Sequence, residues 1–309
     1  MYGEIMFNTS TQAVEFQREA KILKGHLGDT MQAIADFDGV IAGGAITSVF
    51  TRKEINDIDI YFPDAKKASQ FVAALYSKKF GYHNFTNVTN KSLMFVSRDS
   101  DAKCQLIFYK FHPDVQSIFN DFDFTINMGA YIPKEDKFIL HEDFLKHNSQ
   151  RTIQINTNTA YPIISVLRTQ KYAERGYHVS KPQLVRLLLR LSQLGISSWK
   201  ELKDHLGGMY GYNVDDIFPE DKEFSMELAI SVLDTISPKI MTAVLSQQLS
   251  LTDIQEKTVG VFPEEFNKIK DYWRLYEGEV SPEDYAYSEE AKNTTPKAKP
   301  VDTDNWLPF

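Results

Sequence analysis

The spacing of apolar residues along the chain changes character near residue 150. Before that point, short apolar runs bounded by glycine, proline or aspartate predict β-strands that alternate with helices. The predicted strands cover residues 39–42, 58–62, 93–96, 105–109, 128–132 and 137–140, the last two as a hairpin. The predicted helices in this half cover residues 10–36, 45–51, 65–78 and 114–119.

Beyond residue 150 the strand pattern fades, and apolar residues recur at helical spacing. This shift predicts an α+β fold, with a mixed β-sheet flanked by helices in a first domain at 1–150 and an all-helical domain at 151–278. Residues 279–309 are rich in Pro, Lys, Glu, Asp and Thr, a composition typical of a flexible tail. Its apolar tip, Trp306 to Phe309, either folds back onto the body of the protein or docks to another protein chain. The predicted helices of this half cover residues 163–175, 181–194, 198–205 and 226–249.

One stretch, from residue 43 to residue 62, combines a glycine pair with two closely spaced carboxylates. Gly43 and Gly44 follow a predicted strand and precede a predicted helix, so backbone N–H groups can approach a phosphate closely. Asp57 and Asp59 stand two residues apart on a predicted strand, where side chains at i and i+2 project from one face. Two such carboxylates repel each other unless a cation lies between them, and Mg²⁺ prefers oxygen ligands. The pattern predicts a metal-assisted phosphoryl or nucleotidyl transfer site; the alternative is a tight turn followed by solvated acids.

These residues resemble the DNA polymerase β-like nucleotidyltransferase superfamily, whose signature is a Gly-Gly or Gly-Ser turn followed by an Asp-x-Asp strand. The sequence DFTIN at 123–127 resembles an element of the class II CCA-adding enzyme and bacterial poly(A) polymerase head domain, and 167–177 is similar to a helix of that branch. The resemblance spans roughly residues 38–180. It implies transfer of an NMP from an NTP, either ATP or CTP, to an acceptor hydroxyl with release of pyrophosphate. It also implies two Mg²⁺ ions, or Mn²⁺, and an RNA acceptor, with the 3′ end of tRNA as the first expectation.

The resemblance further implies roles for individual residues. Asp57 and Asp59 are expected to bind the metal ions and to act in catalysis. Asp123, which begins DFTIN, is the expected third catalytic carboxylate, with Asp121 as the alternative. A structural role for Asp123 at the junction with the helical domain also remains open. The expected nucleotide-binding residues are Gly43, Gly44, Ser48, Arg168 and Lys171.

Basic residues recur on the predicted helix that follows DFTIN. Arg168, Lys171 and Arg175 are spaced i, i+3 and i+7, so they share one helix face, which either clamps a triphosphate or is simply solvated. Thr125 and Asn127 alternate with apolar neighbours, which predicts that they lie on the opposite face of an extended segment. A possible RNA-facing groove is completed by Lys181, Arg186 and Arg190.

Three departures from the family pattern weigh against templated addition of C, C and A. Thr47-Ser48 stands where CCA-adding enzymes usually have Arg-Asp, and Asp121-Phe122 stands where two arginines usually precede DFTIN. The Glu-Asp-x-x-Arg element that reads the incoming base is missing near residues 161–165. Two other functions therefore stay open: a nucleotidyltransferase that modifies a protein or small molecule, of the toxin or antibiotic-modifying type, and a non-catalytic nucleotide- or RNA-binding scaffold.

Composition limits the remaining choices. The chain has 309 residues and a formal net charge of −8, which argues against broad non-specific affinity for nucleic acid, although a local basic face can still bind RNA. Cys104 is the only cysteine, so an intrachain disulfide and a cysteine-rich zinc site are excluded. His112, His141 and His147 show no metal-ligand spacing. No signal peptide or membrane-spanning run is recognisable, so a cytoplasmic protein without membrane contact is expected.

Overall fold

The computed structural model describes residues 12–14, 16–89, 91–156, 159, 161–206, 218, 221–234, 249–264 and 266. Eight strands form one mixed sheet, and helices cover both of its faces before a mostly helical region follows. The predicted α+β class is confirmed. The strands of this sheet are β1 (Gln12–Val14), β2 (Val40–Ala42), β3 (Ile58–Tyr61), β4 (His83–Val88), β5 (Ser92–Ser97), β6 (Lys103–Ile107), β7 (Gly129–Ile132) and β8 (Lys137–Leu140).

Among the described residues, six helices accompany the sheet, and five more follow it along the chain. The first six are α1 (Gln17–Leu27), α2 (Thr30–Asp36), α3 (Gly44–Thr51), α4 (Ala65–Tyr76), α5 (Val115–Asp121) and α6 (Phe144–Gln150). The later ones are α7 (Pro162–Glu174), α8 (Lys181–Leu191), α9 (Trp199–Leu206), α10 (Met226–Asp234) and α11 (Leu251–Thr258). Two short strands, β9 (Thr152–Ile153) and β10 (His178–Val179), pair in parallel beside them.

The order of strands in the sheet is β1-β8-β7-β2-β3-β6-β5-β4. The central strand β3 is antiparallel to β2 and parallel to β6. Ile58 and Ile60 of β3 are fully buried in the main hydrophobic core, together with side chains of α1, α2, α3 and α4. Tyr61 belongs to a second cluster with α5, on the opposite face. Side chains alternate along a strand, so Asp59 lies on the face that carries Tyr61 and α5.

The predicted helix at 10–36 is wrong at its start and in its middle. Strand β1 occupies Gln12–Val14 and pairs with β8, and the first helix begins at Gln17. Gly28 has a φ of +52°, a conformation that suits glycine, and it separates α1 from α2.

Strand β4 was not predicted, because asparagine and threonine interrupt its apolar run between His83 and Val88.

The segment at 123–127 is also not extended throughout. Thr125–Asn127 form a 3-10 helix in which Thr125, Ile126 and Asn127 are all buried, so the predicted alternation between two faces is wrong. The turn is held by a hydrogen bond from the N–H of Asn127 to the carbonyl of Phe124. A hydrogen bond of 2.7 Å between Thr125 Oγ1 and His147 Nδ1 adds to it, so polar contacts decide the backbone here.

Apolar contacts join the sheet to the helical region. Phe124 and Ile126 pack with Ile153, Tyr172 and Leu187 in one buried cluster.

The predicted division at residue 150 stays a prediction. The predicted tail at 279–309 and its tip at 306–309 lie outside the described residues, as do residues 235–248 of the helix predicted at 226–249. None of the helices in the described part of the chain has the length and apolar character needed to cross a membrane.

Candidate functional site

The Gly-Gly turn and the carboxylate pair are brought together by the pairing of β2 with β3. In this antiparallel register Ala42, the last residue of β2, lies opposite Asp59. Gly43 follows directly, and a Cβ atom added to Gly43 would lie 3.7 Å from Oδ2 of Asp59. Asp59 is partly buried, and Asp57 is exposed just before the strand. Residues that are separated by a helix in the sequence therefore form one site.

The turn presents backbone N–H groups toward this site. Gly43 has a φ of +91°, and its N–H donates to the carbonyl of Gly129 at 3.0 Å. Helix α3 begins at Gly44, and no side chain caps its N-terminus. The first N–H groups of a helix carry partial positive charge and favour an anion. This end of α3 is therefore suited to a phosphate group.

The two glycines are expected to respond differently to alanine. Gly43→Ala should lower the free energy of unfolding by about 1–2 kcal/mol, because an L-residue is strained at a positive φ. Gly44→Ala should fold normally, because no heavy atom lies within 4 Å of the added Cβ. The added methyl should nevertheless weaken NTP binding if phosphate oxygens approach this backbone. Thermal unfolding and NTP titration test both variants, and unchanged affinity in Gly44→Ala would contradict a phosphate contact there.

The two carboxylates repel each other in the folded protein. The pKa of Asp59 is raised to about 7, first by burial and then by the nearby charge of Asp57. The positive charges of Arg168 and Lys171 act in the opposite direction and lower the pKa of Asp59. The pKa of Lys171 is itself lowered, first by burial, while Asp57 and Asp59 oppose that shift. Two carboxylates and two basic side chains thus share one electrostatic environment.

The carboxyl of Asp59 should make the metal-free protein less stable as pH rises. Its pKa is 3.8 without the protein environment and about 7 in the folded state. Between these values the folded protein holds a proton that the unfolded chain has released, so rising pH favours unfolding until the cost is complete above about pH 7. Asp59→Asn should remove this contribution. Urea unfolding with a chelator at about pH 5 and about pH 8 measures it; an equal pH dependence in both proteins would contradict the raised pKa.

Arg168 is held at the site by Asp123. Nε of Arg168 lies 3.2 Å from Oδ2 of Asp123, whose residue is only 4% exposed. Burial raises the pKa of Asp123, and Arg168 counteracts that shift. The backbone carbonyl of Asp123 also accepts a hydrogen bond of 2.7 Å from the N–H of Asn156. Asp123 therefore anchors one of the basic side chains that lie near Asp59.

A chain of hydrogen bonds links α3, the helix that follows the Gly-Gly turn, to Asp123. Oγ1 of Thr47 donates to the carbonyl of Ile126 at 2.7 Å, and the Tyr172 hydroxyl donates to Oδ1 of Asn127 at 2.5 Å. Nδ2 of Asn127 lies 3.5 Å from Oδ1 of Asp123. The network joins α3, the 3-10 helix and α7, which are the elements that carry the site.

Neither candidate for the third carboxylate joins the pair at Asp57 and Asp59. Asp121 forms an ion pair with Lys110 at 2.8 Å, and Asp123 faces Arg168. Opposite Asp59 on β6 stands Gln105, an amide, which agrees with the absence of acids from that predicted strand. Within the described residues, no group of three or more His, Cys, Asp or Glu side chains is arranged to hold a metal ion. The metal-binding role of Asp57 and Asp59 and the catalytic role of Asp123 stay predictions.

The other predicted binding residues make only local contacts or are exposed to solvent. Ser48 is buried on α3, and its carbonyl accepts a hydrogen bond from the N–H of Lys53. Arg175 is exposed, and its guanidinium lies 5.7 Å from the ring centroid of Tyr172. Arg186 and Arg190 contact glutamines near them in sequence, and Lys181 is exposed at the start of α8.

Sequence reasoning missed two residues that organise the site. Thr47 was read only as a departure from the family pattern, yet it ties α3 to the 3-10 helix. Asn156 donates through Nδ2 to the carbonyls of Asn120 and Phe122, at 3.0 and 2.9 Å, and so fixes the chain that leads to Asp123. Both act on backbone carbonyls, which leave no signature in a single sequence.

A family model and a sequence relative each match part of this chain. A family model described as Gabija anti-defense 2 family protein matches residues 14–151, which include Gly43, Asp57, Asp59 and Asp123. A protein named Gabija anti-defense 2, from Bacillus phage SPbetaL7, is 43% identical over 229 residues, which are 74% of this chain and 56% of the relative. The chain thus spans just over half the length of this relative.

Solved structures give weaker likenesses. The Thermotoga maritima CCA-adding enzyme complexed with tRNA has a TM-score of 0.46 at 15% identity, over 91% of this chain and 68% of that chain. A complex of CCA-adding enzyme with ATP has a TM-score of 0.47 at 13% identity, with the same coverage of both chains. These values describe a general likeness of shape and say nothing of what this chain binds.

Proposed function

We propose that this protein is a metal-dependent nucleotidyltransferase, which moves an NMP from an NTP to an acceptor hydroxyl. The observation that carries the proposal is the position of the Gly43 turn beside Asp59, with Asp57 nearby and the charges of Arg168 and Lys171 acting on Asp59. A triphosphate brings negative charge that the N-terminus of α3 and two cations can offset. Two repelling carboxylates require a counterion for full ionisation near neutral pH.

Asp57 and Asp59 are suited to hold Mg²⁺, or Mn²⁺, because both are oxygen donors, and a cation would offset the burial and the charge of Asp57 that raise the pKa of Asp59. When bound at such a site, the metal lowers the pKa of the acceptor hydroxyl and stabilises the leaving group. Backbone N–H groups at the start of α3, from Gly44 onward, would orient the triphosphate. Arg168 and Lys171 would counter the charge that develops on it.

The reaction forms one phosphorus–oxygen bond and breaks another. The acceptor oxygen attacks the α-phosphorus, and the bond from that phosphorus to the bridging oxygen of the β-phosphate breaks. Pyrophosphate leaves with the bonding electron pair, and the proton of the acceptor hydroxyl passes to solvent. Positioning and charge stabilisation supply most of the rate in such a transfer, so few side chains are needed.

The acceptor that we propose is a component of the Gabija defence system. The support is the 43% identical relative, which is named as an anti-defense protein. Transfer of a nucleotide to a defence protein would add a bulky charged group, which is a direct way to inactivate it. A second candidate is an RNA 3′ end. It is favoured by the sequence DFTIN at 123–127, which resembles an element of the class II CCA-adding enzyme and bacterial poly(A) polymerase head domain. The overall charge of −8 does not help a polyanion to bind.

Locating a transferred label separates these functions. The full chain is incubated with Mg²⁺ and each α-labelled NTP, first with Gabija proteins and then with total RNA that includes tRNA lacking its 3′ end. Label on protein supports the proposed acceptor, and label on RNA ends supports the second candidate. Nucleotide binding without transferred label would show a scaffold. Asp59→Asn serves as the inactive control in every reaction.

A further inference from the structure

Two tyrosine rings form an open corner beside the carboxylate site. The ring centroids of Tyr109 and Tyr161 lie 6.2 Å apart, and their planes are inclined by 71°. Nζ of Lys91 lies over the Tyr161 ring, 4.4 Å from its centroid. Tyr109 is 38% exposed and Tyr161 is partly buried, and neither belongs to the hydrophobic clusters found among the described residues. The corner therefore presents aromatic surface at the outside of the fold and is not a part of the core.

The backbone holds this corner in place from two sides. The N–H groups of Phe108 and Tyr109 both donate to the carbonyl of Lys91, at 2.9 and 3.1 Å. Tyr161 immediately precedes α7, and its carbonyl accepts hydrogen bonds from the N–H and the hydroxyl of Ser165, at 3.1 and 3.2 Å. The backbone that carries Lys91 and both rings is thus held by the end of β6 and the start of α7.

The corner adjoins Asp59 through Tyr61. Tyr61 follows Asp59 by two residues, so both side chains lie on one face of β3. Burial raises the pKa of Tyr61, and the nearby groups of Asp59 and Tyr109 raise it further. Burial likewise raises the pKa of Tyr109, with Asp121, Tyr161 and Asp59 contributing. The charge of Asp59 thus acts on both Tyr61 and Tyr109, and Tyr109 contacts Tyr161.

We propose that the Tyr109–Tyr161 corner binds a nucleobase, an inference that rests on the proposed nucleotidyl transfer. A planar base can lie flat on one ring with its edge against the other, an arrangement that aromatic groups favour. Lys91 can donate a hydrogen bond to an acceptor on the base edge. Stacking tolerates all bases, because each has a π-face. The corner therefore accounts for base binding in a chain that lacks the Glu-Asp-x-x-Arg element, and it predicts relaxed choice among NTPs.

Titration with and without a base tests this inference. The wild type and the variants Tyr161→Leu, Tyr161→Phe and Tyr109→Leu are titrated with Mg²⁺ and each of the four NTPs, and then with inorganic triphosphate, which has no base. Both leucine variants should bind every NTP about ten-fold more weakly. Tyr161→Phe should stay within about two-fold, because its ring still stacks. Binding of triphosphate should not change, and circular dichroism verifies folding.

A second arm uses a short single-stranded RNA to identify the source of the base. Loss of NTP affinity alone assigns the corner to the incoming nucleotide, and loss of RNA affinity alone assigns it to the acceptor end. Unchanged affinity for both overturns the inference, as does an equal loss for inorganic triphosphate. If the wild type binds neither NTP nor triphosphate, the proposed function itself falls, and the inference falls with it.

Discussion

Replacing Asp57 or Asp59 with asparagine is expected to slow nucleotide transfer by at least about a hundred-fold without unfolding the protein. Asparagine keeps the shape of the side chain but removes the charge that would bind Mg²⁺. In Asp59→Asn the repulsion between the two acids also disappears, so the metal-free protein should be as stable as the wild type or more stable. Single-turnover transfer of an α-labelled nucleotide measures the loss of rate.

The melting temperature with and without Mg²⁺ and NTP provides a second measurement on the same variants. Mg²⁺ with NTP should raise the melting temperature of the wild type, because a ligand that binds only the folded state stabilises it. That rise should vanish in both asparagine variants. Asp101→Asn is a matched control, because Asp101 is exposed and its positive φ is one that asparagine tolerates. A control as slow as Asp59→Asn, or full activity in either site variant, would refute the metal assignment.

Removing the guanidinium of Arg168 is expected to destabilise the fold as well as weaken nucleotide binding. Arg168→Met leaves the carboxyl of Asp123 buried without its cation. Loss of one partner of a buried pair costs several kcal/mol, but the Arg168 side chain is 30% exposed, so we expect about 1–3 kcal/mol. Adding Asp123→Asn should restore most of this loss, since no buried charge then remains. Urea unfolding of the single and double variants measures the coupling between the two residues.

Lys171→Ala serves as the comparison for Arg168. Lys171 is partly buried, and its charge acts on both carboxylates of the pair, Asp57 and Asp59. Arg168, by contrast, forms the ion pair with Asp123. Lys171→Ala should therefore leave the free energy of unfolding nearly unchanged while raising the KM for NTP about ten-fold. If Arg168→Met leaves the free energy of unfolding unchanged, the buried carboxyl of Asp123 does not need the charge of Arg168. If neither variant changes the KM, this helix face does not bind the triphosphate.

The sequence was sufficient to predict the central part of the site because that part depends on local rules. Glycine at a positive φ, a helix that starts directly after it, and acids spaced by two residues are all visible in the chain. The antiparallel register of β2 with β3, which places Gly43 beside Asp59, was not predicted, because two strands joined by a helix usually pair in parallel. The predicted helices matched α3, α4, α5, α7, α8 and α9 closely, but α6 and α11 were not predicted, and the helix predicted at 10–36 is interrupted by β1 and by Gly28.

Side-chain contacts with backbone carbonyls could not be predicted. The ties of Thr47 to Ile126 and of Asn156 to Phe122 link residues that lie 79 and 34 positions apart. No periodicity marks them, because each depends on the completed fold. The corner at Tyr109 and Tyr161 is similar, since its rings come from segments that only the packing of α7 near the sheet brings together. Sequence alone indicated only that a base-reading element was missing from this region.

The carboxylates and the cations of the site come from different stretches of the chain. Asp57 and Asp59 lie within the residues that the family model matches, 14–151, whereas Arg168 and Lys171 lie beyond them on α7. A protein that shares only the matched stretch could keep the carboxylates and lose their compensating charges. Its acid at the position of Asp59 would then titrate at still higher pH. Substitutions on α7 would therefore change the charge state of Asp59 without altering the stretch of chain that carries it.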